Sequence, residues 1–238
     1  MIARVQLLLA RLGYRPGPLD GKAGRRTSAA IKAAEKQAGI RQTGMPSGIL
    51  VAYLDRRLAR VLSGVNWLRL EDVKAIAPTF PAEHLPHLQA ALYEIGATPM
   101  RAAHFVAQLA HESDRFRAME EYATGAAYEG RKDLGNIKAG DGKRYKGRGV
   151  IQLTGRANYG RASEYLGVDL VRQPELAALP AIAYMTAAFY WLDRGINGKA
   201  DRDDVRGVTK LINGGTNGLK DRVALLSAAK HAFYVNIT

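Results

Sequence analysis

The chain of 238 residues is 47% hydrophobic, which is enough apolar material for one or two cores and predicts one or two domains. It contains no cysteine, so disulfide scaffolds, thiol catalysis and cysteine-bound zinc are excluded. The net charge of +13 is uneven: residues 1–66 hold 12 Lys and Arg against 3 Asp and Glu, a net +9, and the remaining 23 and 19 give +4. A basic first part attracts an anionic partner, such as nucleic acid, an acidic membrane surface or a cell-wall polymer, unless it serves solubility alone.

The N-terminus lacks the pattern of a signal peptide. Its apolar run is short, and Arg4, Gln6 and Arg11 interrupt it. No stretch approaches the length of a transmembrane helix. We therefore expect synthesis in the cytoplasm, and an action outside it would need a separate partner, such as a holin-like pore, for release.

Three short helices are predicted in the first sixty residues. Apolar side chains recur at helical spacing over residues 2–12. Residues 26–38 form the second helix, with Thr27 or Ser28 as its N-cap. Residues 48–62 form the third, and the segments between are rich in Gly, Pro and Asp, as loops are. This part is predicted to be a small three-helix bundle.

The composition changes around residues 63–66, where a larger domain is predicted to begin. We place the first domain at residues 1–62 and the second at residues 67–238. Helical patterns in the second domain cover residues 70–77, 83–95, 98–113, 158–166, 180–194, 204–213 and 219–234. Residues 122–147 form a long loop rich in Gly, Lys and Asp, and a loop of this length is usually functional or mobile. One or two short strands near "RGVIQLTG" stay open, so the predicted fold class is mainly α.

One carboxylate continues an apolar stripe of the predicted helix at 98–113. Glu112 follows Phe105 by seven residues and Leu109 by three, so the three side chains share one face. Phe116, four residues further on, continues this stripe. Apolar surroundings favour the protonated form of a carboxylic acid, which is the form that a general acid needs. The alternative is that the helix ends first and leaves Glu112 solvated.

Glycoside cleavage needs a second carboxylate, and both Glu120 and Glu121 follow closely. On an unbroken helix, Glu121 would lie roughly 13 Å beyond Glu112 along the axis and on the opposite face. Inverting glycosidases hold their two carboxyl groups about 6.5–9.5 Å apart. The chain must therefore turn between Ser113 and Glu120 if Glu121 is to act as a base.

The first domain carries the motifs LGY, PG.LDG..G..T..AI and TG in that order. With these motifs, "VQLLLARLGYRPGPLDGKAGRRTSAAIKAAEKQAGIRQTGMPSGIL" resembles the peptidoglycan-binding type 1 module over about residues 2–58. It departs from that module in having "KAAEKQAGI" where an aromatic residue usually follows the AI pair. The resemblance implies a binding groove beside the LDG loop, and it makes Tyr14, Asp20 and Thr27 candidate contacts with peptidoglycan.

Three motifs of the second domain point to one family. "AHFVAQLAHESDRFRAMEE", "YKGRGVIQLTGRANY" and "LINGGTNGLKDR" are similar to the family 19 glycoside hydrolases, which include chitinases and phage endolysins, over about residues 67–235. The resemblance implies a helical, lysozyme-like catalytic domain. It assigns the general acid to Glu112 and the second acidic residue to Glu121, with Glu120 as the alternative.

The same resemblance implies roles for further residues. Thr154 would help to hold the attacking water, and Arg222 would lie near the acid. The candidate sugar contacts are Gln152, Asn158, Asn213, Tyr122 and Tyr145, the two tyrosines by stacking on sugar rings. Each has a simpler alternative: Thr154 and Asn213 as helix caps, and Arg222 in a surface ion pair. His111 is interpreted as structural, and we expect no catalytic metal and no cofactor.

These observations predict a monomeric endolysin of bacteriophage type that lyses cells. It would hydrolyse the β-1,4 bond between N-acetylmuramic acid and N-acetylglucosamine in peptidoglycan by an inverting mechanism. Its partners would be peptidoglycan and anionic outer-membrane components, and the charge pattern does not fit nucleic acid, because basic residues are not interleaved with aromatic ones. The alternatives are a chitinase of the same fold and a non-catalytic wall-binding protein.

Overall fold

The computed structural model describes residues 1–12, 14–62 and 67–234. Its first part is a bundle of three helices, α1 (Ile2–Arg11), α2 (Arg25–Gln37) and α3 (Gly48–Leu62). Each begins and ends within one residue of its predicted span. Their apolar faces meet in a separate core formed by Val5, Leu8, Leu9, Ala30, Ile31, Ala34, Leu50 and Leu54. Burial of this shared face is what makes three short helices stable together.

The start of α2 differs from the prediction that Thr27 or Ser28 caps it. Gly24 is the N-cap, and no side chain caps the helix. Thr27 is buried within the first turn, where its hydroxyl donates to the Pro16 carbonyl oxygen at 2.7 Å and accepts from Gln6 Nε2 at 3.1 Å. Ser28 Oγ donates to a carbonyl oxygen of the loop before α3. Both hydroxyls therefore fasten loops to the bundle.

The second part is also mainly α. Its described residues form α4 (Leu70–Ile76), α5 (Leu85–Glu94), α6 (Pro99–Glu112), α7 (Asp141–Arg144), α8 (Arg156–Leu166), α9 (Pro180–Asp193), α10 (Asn197–Ala200), α11 (Val205–Asn213) and α12 (Leu219–Tyr234). Short 3-10 helices span Ala82–His84, Ala126–Tyr128, Lys132–Leu134 and Pro174–Ala178. Near "RGVIQLTG", the described residues form isolated bridges, Glu120 with Arg148 and Arg148 with Leu153, in place of the strands left open. No described helix is long and apolar enough to cross a membrane.

Helix α6 is the central element of the second part. Thr98 caps it by accepting from the Arg101 backbone amide at 3.3 Å, and Pro99 occupies its first position. Every residue from Ala102 to Ala110 is buried. Helix α12 packs along it, and α4, α10 and α11 also contact it. A helix surrounded in this way places its last residue at a fixed point of the domain.

The long Gly-, Lys- and Asp-rich loop is folded onto the domain. Asp141 accepts hydrogen bonds from the Arg156 side chain and from the Lys138 backbone amide, and the bonds from Arg156 in particular lower the pKa of Asp141. Glu129 accepts from the backbone amides of Gly140 at 2.7 Å and Gly142 at 2.8 Å. These buried or bidentate contacts fix the loop.

The two parts have separate cores and touch each other. Leu19, in the loop between α1 and α2, packs against the core of the second part. The predicted boundary at residues 63–66 lies outside the described residues, as does the end of the predicted second domain at 235–238.

Truncation of Phe105 tests the central position of α6. Phe105 is fully buried, and its ring meets that of Trp191 edge-on with 5.2 Å between centroids. We expect Phe105→Ala to lower the free energy of unfolding by about 3–5 kcal/mol in urea denaturation, because it opens a cavity in the core. The control Ile137→Ala, at a side chain 72% exposed, should change it by less than about 0.5 kcal/mol. Equal effects of the two substitutions would contradict this packing.

Candidate active site

Glu112 is the last residue of α6, and its side chain is 18% exposed. The helix therefore continues up to Glu112. The Glu112 carboxylate lies at the edge of the core, and Leu109, one turn earlier in the helix, is buried. A carboxylate in this position is reachable from solvent yet held by a rigid helix. This is the placement that a proton donor requires.

A buried guanidinium holds this carboxylate. Arg222 of α12 is 1% exposed, and its Nη2 donates to Glu112 Oε1 at 2.5 Å. Its Nη1 donates to the side-chain oxygen of Gln108, and its Nε donates to the Asn217 carbonyl oxygen at 3.3 Å. Gln108 lies one helical turn before Glu112, so Arg222 binds two neighbouring side chains on the same face of α6. The alternative interpretation of Arg222 as a surface ion pair is wrong, because the side chain is buried.

The chain turns sharply after Glu112, as an assignment of Glu121 to the site requires. Asp114, Arg115 and Phe116 all have positive φ, of 49°, 59° and 66°. Ser113 Oγ holds the turn by donating to the Leu109 carbonyl oxygen at 2.6 Å and accepting from the Phe116 amide at 2.9 Å. Non-glycine residues rarely adopt this conformation, and strain of this kind persists only where the surroundings enforce it.

His111 and Arg115 anchor the same turn to α12. Asp221 accepts from His111 Nδ1 at 2.5 Å and from Arg115 Nη2 at 2.5 Å. Burial alone would raise the pKa of Asp221, but the hydrogen bonds from Arg115 and His111 outweigh it and lower that pKa. His111 is therefore part of a structural network. Within the described residues, no group of three or more His, Asp and Glu side chains could hold a metal ion.

Glu121 has one anchored and one free carboxylate oxygen. Tyr128 donates its hydroxyl hydrogen to Oε2 at 2.9 Å, and the Glu121 backbone amide donates to the Gly147 carbonyl oxygen at 3.0 Å. Burial, followed by the bond to Glu121, raises the pKa of Tyr128, so its hydroxyl stays a donor. Oε1 is buried, and no described group donates to it. This oxygen is free to accept a proton.

The position of Gly147, next to Glu121 and Gln152, has no room for a side chain. A Cβ atom there would lie 2.8 Å from Gln152 Oε1 and 3.1 Å from Glu121 Oε2. Any side chain at Gly147 would therefore displace one of these two groups. The absence of a side chain at Gly147 thus leaves room for the side chains of both Glu121 and Gln152.

The Glu120 carboxylate is paired with two basic side chains. Its Oε1 accepts from Arg148 Nε at 3.0 Å and lies 3.3 Å from Lys146 Nζ. Arg148 is buried, so Glu120 serves as its counter-charge. Of the two neighbouring carboxylates, Glu121 is the one that keeps a buried oxygen without a donor, whereas Glu120 is 44% exposed and bound to two cations through Oε1.

Thr154 and Gln152 lie on one tight segment, and Gln152 and Glu121 both lie near Gly147. Gln152 has a positive φ of 53°, and its Nε2 donates to the Gly149 carbonyl oxygen at 2.9 Å and that of Ala118 at 3.3 Å. Thr154 Oγ1 donates to the Gln152 carbonyl oxygen at 2.9 Å and is half-buried. The Thr154 oxygen thus keeps lone pairs with which to accept.

Two candidate sugar contacts already have partners in the protein. Asn158 Nδ2 donates to the Thr154 carbonyl oxygen at 2.7 Å, and its Oδ1 accepts from Arg161 at 2.7 Å. Asn213 is exposed at the end of α11 and accepts from the Gly215 amide at 3.0 Å, while Gly214 takes the left-handed capping position. A sugar would have to replace these bonds or use the remaining lone pairs.

The two candidate tyrosines differ completely in exposure. Tyr122 is 81% exposed, so its ring is available for stacking. Tyr145 is 1% exposed, its hydroxyl donates to the Val171 carbonyl oxygen at 3.0 Å, and the Arg156 guanidinium covers its ring at 4.7 Å. The prediction that Tyr145 stacks on a sugar ring is therefore wrong.

The three candidate peptidoglycan contacts of the first part also differ in exposure. Asp20 is exposed in the LDG loop, and hydrogen bonding, chiefly from the Lys22 amide, lowers the pKa of Asp20. Tyr14 is half-buried, and its hydroxyl donates to Gln37. Thr27 is buried, so contrary to prediction it has no surface to offer to peptidoglycan.

Comparison with known families follows the same division of the chain. Residues 82–216, more than half of the chain, match the glycoside hydrolase family 19 model, described as chitinase class I. The chain belongs to glycoside hydrolase family 19. Residues 1–54 match the model of a peptidoglycan-binding domain.

Relatives of this family 19 protein come from bacteria and plants. It is 36% identical over 115 residues to a glycosyl hydrolase family 19 domain-containing protein of Haemophilus influenzae, covering 48% of this chain and 55% of that one. It is 31% identical over 125 residues to an endochitinase of Arabidopsis thaliana, covering 51% and 47%. The chain thus spans about half the length of these curated relatives. Its fold is similar to chitinase C from Streptomyces griseus, with a TM-score of 0.59 and 22% identity over 71% of this chain and 77% of that one.

Several residues of the candidate site were not predicted from the sequence. Tyr128 lies in the Gly-rich loop, where no periodicity indicates a partner. Gly147 is one of many glycines around it. Gln108 did carry a signal, because it is a polar residue one turn before Glu112 on the same face of a largely apolar helix.

Tyr128→Phe tests whether the hydroxyl positions Glu121. We expect kcat to fall about tenfold with KM nearly unchanged, because loss of one hydrogen bond to a charged group, worth about 1.5–3 kcal/mol, frees the carboxylate to rotate. The measurement is steady-state release of reducing ends from purified peptidoglycan. The matched control is Tyr93→Phe, which removes a hydroxyl from an exposed ring on α5. Unchanged kcat in Tyr128→Phe would show that the hydroxyl does not position the base.

Proposed function

We propose that this family 19 hydrolase is an endolysin that cleaves the β-1,4 bond between N-acetylmuramic acid and N-acetylglucosamine in peptidoglycan. The observation that carries the substrate choice is the peptidoglycan-binding domain at residues 1–54 joined to the family 19 region at residues 82–216. A wall-binding domain raises the local concentration of bonds to cut without adding a catalytic contact. The excess positive charge of the first part adds attraction to anionic wall components, and salt should weaken this attraction.

Glu112 is the proposed general acid. It gives its proton to the glycosidic oxygen while the bond from that oxygen to the anomeric carbon breaks, and the bonding electron pair stays with the oxygen. Arg222, 2.5 Å from Glu112 Oε1, holds the carboxyl group in position before and after the transfer. Orientation by a buried, doubly engaged arginine favours one rotamer of the acid.

Glu121 is the proposed general base. Tyr128 holds its Oε2, and its buried Oε1 is free to take a proton from water. The Thr154 oxygen can accept from the same water, so two acceptors would orient it. The water attacks the anomeric carbon on the face opposite to the leaving oxygen, its proton passes to Glu121, and the configuration inverts in one step without a covalent intermediate.

A chitinase activity is the second candidate. It is favoured by the name of the Arabidopsis relative, an endochitinase, which is 31% identical to this chain. Chitin contains N-acetylglucosamine alone, so the same two carboxylates could cleave it by the same steps. Release of soluble sugars from colloidal chitin, compared with release from purified peptidoglycan at equal enzyme concentration, separates the two candidates.

Isosteric amide variants test the two carboxylates. Glu112→Gln and Glu121→Gln should each lower kcat on purified peptidoglycan by roughly 10²–10⁴-fold, since an amide cannot transfer the proton. Glu120→Gln is the matched control for Glu121, and we expect its kcat to fall less than about tenfold because its carboxylate pairs with Arg148 and Lys146.

Thermal unfolding of each variant establishes that the protein remains folded. A near-normal rate for Glu112→Gln, or a larger loss for Glu120→Gln than for Glu121→Gln, would contradict the assignment.

A further inference from the structure

An open pocket lined by basic side chains lies in the family 19 domain. Its cavity of about 520 Å³ opens to solvent between α7, the start of α8 and the segment before Pro174. Four cationic side chains and one carboxylate line it: Lys138, Arg144, Arg156, Arg172 and Asp141. The lining thus has a formal excess of three positive charges. We call this cavity the basic pocket.

Two of its arginines are fixed in place. The Arg156 guanidinium binds both oxygens of the buried Asp141 and lies over the Tyr145 ring, 4.7 Å from its centroid. The pair neutralises Asp141, so this carboxylate does not repel an anion. Arg144 Nη2 donates to the carbonyl oxygens of Val171 and Arg172, the latter at 2.7 Å. Preorganised guanidinium groups lose little entropy when they bind a ligand.

The other two cations are available to a ligand. The ammonium group of Lys138 is exposed and has no partner among the described residues. Arg172 is 87% exposed, and its one ion pair with a described residue is a loose one, 3.6 Å from Asp169. Exposed charges of one sign around a cavity attract an anion of matching size.

The basic pocket and the candidate active site share one segment of chain. Arg144 stands two residues before Lys146, whose Nζ donates to the Glu121 carbonyl oxygen at 3.2 Å. Arg156 stands two residues after Thr154. A polymer bound along the active site would therefore pass close to the segment that forms the pocket.

We propose that the basic pocket binds carboxylate groups of the peptide stems of peptidoglycan. This inference rests on the proposed function, in that peptidoglycan is taken as the polymer in the site. Guanidinium groups match carboxylates in geometry as well as charge. Chitin has no such groups, so the pocket favours peptidoglycan over chitin by contacts away from the reacting bond.

The test uses the full chain and two double variants that each remove two exposed cations. Lys138→Ala/Arg172→Ala alters the pocket, and Lys74→Ala/Arg206→Ala is the matched control, with its substitutions on α4 and α11. Because exposed charge contacts each change affinity a few-fold, we expect KM for purified peptidoglycan to rise about fivefold in the pocket variant, with kcat unchanged. The control should match the unaltered protein.

A soluble probe identifies the anion. A synthetic acidic stem tripeptide with free carboxylates should bind the unaltered protein in isothermal titration and bind the pocket variant about fivefold more weakly. The tripeptide with amidated carboxylates should bind neither protein measurably. Inorganic phosphate, which guanidinium groups also match, is titrated as the comparison anion. Equal KM values for the two double variants, or phosphate binding that the pocket substitutions abolish while tripeptide binding is unaffected, would overturn the proposal. If the proposed function is wrong, the unaltered protein will not digest peptidoglycan. The tripeptide titration does not depend on digestion, so it still measures binding to the basic pocket.

Discussion

The geometry of the candidate site depends on one buried ion pair. Arg222 joins α12, the last helix of the described chain, to the final turn of α6, where it binds Glu112 and Gln108 together. The Arg222 guanidinium is 1% exposed, and removing the partner of such a buried charge lowers the free energy of unfolding by about 3–5 kcal/mol. The two helices are therefore locked together, and the acid keeps its position only while both are in place. Asp221, one residue before Arg222, fastens the following turn through His111 and Arg115.

That turn ends the helix between Glu112 and Glu121, and the two carboxylates have different surroundings. Three consecutive residues with positive φ reverse the chain directly after α6, which a regular helix could not do. Glu112 then faces an arginine, whereas Glu121 faces a tyrosine hydroxyl and keeps one oxygen without a donor. The two carboxyl groups therefore differ in hydrogen-bond partners, one bound by a guanidinium and the other by a neutral hydroxyl. Glu120 contributes instead by neutralising the buried Arg148.

Periodicity in the sequence predicted the long helices, because a stripe of apolar side chains marks the face that each helix buries. It could not predict α7 and α10, which are only four residues long and too short to show a period. The need for a turn after Ser113 followed from helix geometry alone. The sequence did not predict which loop side chains are buried. Tyr122 and Tyr145 look alike in the sequence, yet Tyr122 is exposed and Tyr145 is buried under the Arg156 guanidinium. The partnership of Tyr128 with Glu121 also depends on how the loop folds, for which local pattern carries no information.

The proposed muramidase activity is tested most directly by the sugar that the protein leaves at each new reducing end of peptidoglycan. Digestion of purified peptidoglycan, borohydride reduction of the fragments and mass spectrometry identify the sugar at each new reducing end. If the protein is a muramidase, the unaltered protein releases fragments that end in reduced N-acetylmuramic acid. Reduced N-acetylglucosamine ends, or no new reducing ends from the folded protein, would contradict this proposal.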